Sequence, residues 1–108
     1  LSVTGRIICT DITSLPTSSW PDYVFDKEYK IMPLDQLEAS INKNKHLPNI
    51  PSAKEIEANG IAIGEMSRKT MEKIEELTLY IIELNKKNIA LAEKVEKLEQ
   101  QIAISKKQ

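Results

Sequence analysis

The run Ile74-Glu75-Glu76-Leu77-Thr78-Leu79-Tyr80-Ile81-Ile82-Glu83-Leu84 decides the fold of this chain. Ile74, Leu77, Ile81 and Leu84 alternate at steps of three and four, and Asn88, Leu91, Val95, Leu98 and Ile102 carry the step onward. This is the a/d stripe of a coiled coil about four heptads long. A single helix cannot bury such a stripe, so the pattern predicts a parallel bundle in which the chain associates with itself.

With Ile74 at a and Leu77 at d, the a positions are Ile74, Ile81, Asn88, Val95 and Ile102 and the d positions are Leu77, Leu84, Leu91 and Leu98. β-Branched residues at a, leucine at d and one polar Asn88 at a favour a two-stranded parallel coil. The flanks point the other way. Lys94 with Glu99 is the one obvious g-to-e ion pair, while Met71, Tyr80 and Ala92 widen the apolar face toward what three helices need. The core and the flanks leave dimer and trimer in balance. Asn88 reads as a register-setting polar layer, with an anion or water held on the axis as the alternative.

Leu77 to Ile82 is apolar all round the helix, since Leu79 and Ile82 fall at the outward f and b positions. A helix apolar on every side is covered on every side. Upstream residues are therefore expected to fold back as a helical collar around the base of a projecting stalk. Beyond Glu83 the outer positions are mainly Lys, Glu, Gln and Asn, with Ile89 at b the exception. The long helix is expected from about Glu65 to about Ile104, roughly 60 Å at 1.5 Å per residue, with Ser105 to Gln108 fraying.

Three of the five aromatic residues lie in Trp20-Pro21-Asp22-Tyr23-Val24-Phe25. Trp20, Tyr23 and Phe25 read as an anchor that packs this segment onto a core; a ligand-binding aromatic patch is the alternative. A helix starting near Pro33 presents Leu34, Leu37 and Ile41 on one face and ends near Asn44. Pro48 and Pro51 keep the next stretch out of helix, and Leu47 and Ile50 are expected to plug an apolar surface. Ser52 with Glu55 forms a capping box for a short helix ending near Asn59, and Gly60 suits its left-handed C-cap. At the other end, Leu1 to Ile12 is rich in β-branched residues and reads as a strand with a turn or bulge at Thr4-Gly5. A single strand at a chain end wants a partner, within the chain or from another protomer. Thr13 to Pro21 is a linker. The expected divisions are 1–19, 20–64 and 65–108, in a mainly α fold with a short N-terminal β segment.

The chain has 108 residues, 15 of them basic and 16 acidic, for a formal net charge of −1. This near-balance favours neither nucleic acid nor a charged membrane surface. A unit of about 65 residues outside the long helix buries little by itself, and association supplies the missing burial. No apolar run reaches the length of a membrane span, so no membrane insertion is expected. Cys9, the only cysteine, excludes an intrachain disulfide. A start at Leu1 rather than Met reads as a fragment or processed piece.

The ordered string Trp20-Pro21-Asp22-Tyr23-Val24-Phe25, Tyr29-Lys30-Ile31-Met32-Pro33-Leu34, Asn44 through Glu55, Asn59-Gly60-Ile61, Gly64-Glu65-Met66 and Lys73 through Tyr80 resembles the C-terminal module of bacterial and phage tail-fibre-like proteins. It is similar in position and architecture to the endosialidase-type intramolecular chaperone domains, and Leu1 to Ile12 resembles the last strand-like repeat before that module. The resemblance implies a C-terminal trimerisation and folding module that brings three fibre chains into register, in a virion tail fibre or at a cell surface. It tips the balance between dimer and trimer to the homotrimer. The endosialidase-type relatives also cleave themselves with a serine and an aspartate. Here no Ser-Asp pair precedes the basic motif of those domains and Ser2 stands outside that context, so no catalytic residue carries over and no enzyme is expected.

Other chemistry finds little support. His46, the only histidine, has no clustered metal ligands and reads as a loop residue making a structural hydrogen bond. Cys9 has no neighbouring histidine and reads as inert. Asp22, Asp26 and Glu28 read as a solvated acidic loop. Three glycines form no phosphate-cradling loop, so no cofactor is expected. The second functional reading is a receptor- or glycan-binding tip, with Trp20 to Tyr29 or the collar surface as the contact.

Overall fold

A computed structural model describes residues 1–107. Its shape is extended, 82 × 30 × 29 Å, and its length comes from one helix. In chain order a 3-10 helix, Pro21–Phe25, precedes α1 (Leu34–Asn44), α2 (Ala53–Asn59) and α3 (Ile63–Lys107). The fold is mainly α with a long C-terminal helix. That helix begins two residues earlier than expected and continues through Ser105 to Lys107. Of the fraying expected at Ser105 to Gln108, Gln108 lies outside the described residues.

The local signals explain the short elements. Ser52 Oγ accepts the Glu55 backbone N–H at 3.2 Å while the Glu55 carboxylate accepts from Ser52 N–H at 3.4 Å, which completes the capping box. Gly60 follows with a positive φ of 72° but a ψ of −171°, outside the left-handed helical region expected of it, and donates its N–H to Ile56 O at 2.7 Å. α1 ends on a residue that carries a Cβ: Lys45 sits at φ 62° and donates to Ile41 O at 2.8 Å. Asn49, in the proline-bounded loop, also takes a positive φ of 64°, a conformation asparagine tolerates well.

The expected N-terminal strand is absent. Residues 1–12 run without regular structure, bend at Thr4-Gly5, and make no backbone–backbone hydrogen bond among the described residues. Their β propensity has no second strand to act on, and a segment without a pairing edge gains nothing from being extended. Leu1, Val3, Ile7, Ile8 and Ile12 are all exposed. The tail is located nonetheless: a Cβ at Gly64 would come within 2.7 Å of Ser14 Oγ, so Ser14 passes directly over the first turn of α3.

The close tertiary packing of the chain is between the 3-10 helix and α3. Val24, 1% exposed, and Pro21 are fully buried there. In a 3-10 helix residues three apart share a face, so Pro21 and Val24 point at α3 together and their neighbours point away. This corrects the expected anchor. Trp20 and Phe25 are exposed, at 49% and 53%, and Tyr23 is half-buried.

Candidate functional site

The fold-back divides α3 by face. Glu72 and Leu79 at f, Glu75 at b, Glu76 at c, and Lys73 and Tyr80 at g are all buried or half-buried. In a heptad these positions lie opposite or beside the a/d stripe, so the collar covers the back of the base. The stripe itself stays bare. Ile74, Leu77, Ile81, Leu84, Leu91, Val95, Leu98 and Ile102 are between 47% and 65% exposed, and Asn88 is exposed among them. From Ile81 to Lys107 every residue is exposed.

The collar is fastened to the base through a polar network. The Tyr23 hydroxyl donates to Glu72 Oε2 and accepts from Arg68 Nη1 at 3.1 Å. Arg68 also binds Glu65 Oε1, at 2.5 Å from Nη2 and 3.1 Å from Nε. The Glu72 carboxylate, which accepts the phenol proton, holds Tyr23 above its ordinary pKa, with burial adding to the effect. Tyr29 stacks obliquely on Tyr23, ring centres 5.9 Å apart. Burial first, then the Glu76 and Glu72 charges, push its phenol up to about 12. Lower down, Lys73 Nζ bridges Glu76 at 3.0 Å and Glu72 at 3.7 Å. Tyr80 donates to the Met32 carbonyl at 2.5 Å and pins the segment before α1 against α3.

One buried polar atom in this network is left over. Glu75 is 9% exposed, and its Oε2 has no hydrogen-bond partner. Burial, followed by the neighbouring Asp22 carboxylate, raises its pKa.

Between the collar and α3 lies a cavity of about 200 Å³. Lys73, Glu76, Leu77 and Tyr80 wall it on α3, and Leu37 of α1 with Leu47 and Pro48 of the following loop wall it outside. Leu77 is a seam residue, so this cavity opens beside the seam. Leu47, expected to plug an apolar surface, lines the cavity but stays 42% exposed, while Ile50 is half-buried.

Other expected site residues land as follows. Leu79 is half-buried under the collar, but Ile82 is 45% exposed. The covering reaches the g and f positions at that level and stops short of b. Tyr80, expected to widen the seam, turns into the collar instead, where its hydroxyl finds the Met32 carbonyl. His46 Nδ1 lies 2.9 Å from Leu47 O and so carries the proton. Cys9 is exposed and unpaired. Among the described residues no acidic, histidine or cysteine cluster could hold a metal, and no helix is long and apolar enough to cross a membrane. Residue patterns alone did not single out Arg68, Glu72 and Glu75. Charged residues three and four apart on a back face read as a solvated surface, and only Tyr23, 49 residues from Glu72, shows otherwise.

No protein-family model, curated protein or solved structure matches the chain.

Proposed function

We propose that this chain is a self-association module that aligns three copies in parallel and in register, as the folding and trimerisation modules of tail-fibre-like proteins do. The observation that carries the reading is the bare seam. Eight large aliphatic side chains along α3, about half exposed or more, form one continuous stripe on the face that the collar leaves free. Full burial of a Leu, Ile or Val side chain contributes about 1.5–3 kcal/mol, and a partner with the same stripe buries it heptad by heptad. The collar shields the back of the base, which leaves the seam as the continuous apolar stripe of α3 open to a partner. Short helices and a coil are local structures that form quickly, so such a module would hold three chains together before slower pairing elsewhere in a fibre. Its place would be a virion tail fibre or a cell-surface protein.

Sedimentation equilibrium at micromolar concentration tests the reading. A particle of three chains is expected. A stable monomer would overturn self-association, and a dimer would overturn the trimer while keeping the seam.

A second reading, a receptor- or glycan-binding tip, draws on the exposure of Trp20 and Phe25 at the outside of the base. Neither lines the cavity at the seam. A change in Trp20 fluorescence on adding members of a glycan panel, matched by calorimetric binding that Trp20→Ala abolishes, would favour this reading; an unchanged spectrum across the panel would count against it.

A further inference from the structure

We propose that the cavity between collar and α3 is a socket for Ile82 of a neighbouring copy, so that each collar clasps the next chain as well as its own stalk. This rests on the parallel, in-register association proposed above.

Two features remain unexplained in a single chain. One is the cavity of about 200 Å³, walled by Leu37, Leu47, Leu77 and Tyr80 together with the Lys73–Glu76 ion pair. An apolar space larger than the roughly 150 Å³ cavity known to stay dry and accept benzene invites an apolar occupant. The other is Ile82, a large aliphatic side chain at an outward position, 45% exposed just below the collar.

The heptad register brings the two together. In a parallel in-register coil, g of one heptad stands beside e of the next heptad in the neighbour. Lys73 therefore stands beside Thr78 of the neighbouring copy, and Tyr80 beside Asn85 of the neighbouring copy. Ile82 lies on the same flank of its helix as Thr78 and Asn85, one turn after the first and just before the second. At the neighbour's surface it consequently meets the interval between Lys73 and Tyr80, where Glu76 and Leu77 line the cavity. These four residues are the α3 wall of the cavity. The socket is also continuous with the seam, since Leu77 belongs to both. Ile89 occupies the same heptad position one repeat later and is similarly exposed, at 54%, but the collar does not extend to its level. It serves as an internal control.

Sedimentation equilibrium of the full chain compares Ile82→Ser with Ile89→Ser. The expected result is a trimer weakened at least about tenfold by Ile82→Ser and less than about twofold by Ile89→Ser. Equal effects, or no effect of Ile82→Ser, would overturn the socket. A second measurement uses Leu47→Cys with Ile82→Cys in a Cys9→Ser background under mild oxidation. Disulfide-linked dimers and trimers on a non-reducing gel are expected. In a protein that sediments as a trimer, bridges only within a chain, or none, would overturn the proposal. If the unmodified chain sediments as a monomer, the association reading fails and the socket fails with it.

Discussion

The base and the stalk of α3 share one helix and one heptad stripe, yet they are built differently. Up to Tyr80 the helix has a back, made of Glu72, Glu75 and Tyr80, that its own chain buries. From Ile81 to Lys107 every residue is exposed. A 45-residue helix draws most of its stability from packing of its apolar face rather than from propensity. The base obtains that packing within the chain, whereas the stalk does not, and on the proposed reading other copies supply it. The two regions should therefore respond to different variables: the stalk to protein concentration, the base to changes inside the chain.

The most forceful way to break this comparison is to cut the seam. Leu91→Ala removes one d-layer leucine from each chain and is expected to cost about 2–5 kcal/mol per buried site. The midpoint of thermal unfolding, followed by circular dichroism, should rise with protein concentration in the unmodified chain and fall sharply in the variant. A midpoint independent of concentration, with Leu91→Ala no weaker, would show that the stalk is a free-standing helix.

The collar should be sensitive where the stalk is not. Val24 is fully buried, at 1% exposure. Val24→Ala deletes two methyl groups there, and at about 0.8 kcal/mol per buried group the cost is about 1–2 kcal/mol. The half-exposed Trp20, which caps the 3-10 helix, should report the loosening as an earlier fluorescence transition, while the helical signal of the stalk keeps its midpoint. Simultaneous loss of both signals would mean that base and stalk melt as one unit.

How far the sequence revealed this division depends on the range of each signal. The long helix, the capping box at Ser52 and Glu55, Gly60 at positive φ and the presence of a covering over the first heptads were all legible, because each is written in residues a few positions apart. The faces of the collar were not. Trp20 and Phe25 are the most conspicuous apolar residues of their segment, but the three-residue period of the 3-10 helix turns Pro21 and Val24 inward. Tyr80 reads as part of a widened seam until Met32, 48 residues away, offers its carbonyl. The strand reading of Leu1 to Ile12 rested on propensity alone, and propensity without a pairing edge leaves the backbone unpaired. Ile82 departs from its reading as well. Its apolar character predicts a cover from upstream residues, and the chain leaves it 45% exposed.

A smaller change sharpens the boundary between base and stalk. Tyr80→Phe keeps the ring under the collar and removes only the bond to Met32 O. A net loss of about 0.5–1.5 kcal/mol is expected, with the freed carbonyl left unpaired. Hydrogen exchange of the amides around Met32 should accelerate while the amides of residues 91–102 keep their protection. Unchanged exchange near Met32 would mean that the hydroxyl bond does not hold this segment.

The smallest effect concerns Glu75 and is visible only as a function of pH. Its carboxyl sits above the ordinary value of 4.5 because it is buried and then because Asp22 lies beside it. A carboxyl with a raised folded pKa holds its proton more tightly in the folded state. Its stabilising contribution is therefore fully present below about pH 4.5 and is lost as the pH climbs through the raised value. Glu65 works in the opposite sense, since the hydrogen bond from Arg68 lowers its pKa, and its contribution is lost on acidification. The unmodified profile thus mixes two opposed trends, and the difference between Glu75→Gln and the unmodified chain isolates one of them. The amide is neutral at every pH and can donate to Asp22. It should match the unmodified collar near pH 4 and exceed it in stability at pH 7, as read by Trp20 fluorescence during urea unfolding. A variant less stable than the unmodified chain at pH 7 would mean that the Glu75 charge has a partner at the base, and that the collar rests on an ion pair where the structure leaves a carboxylate alone.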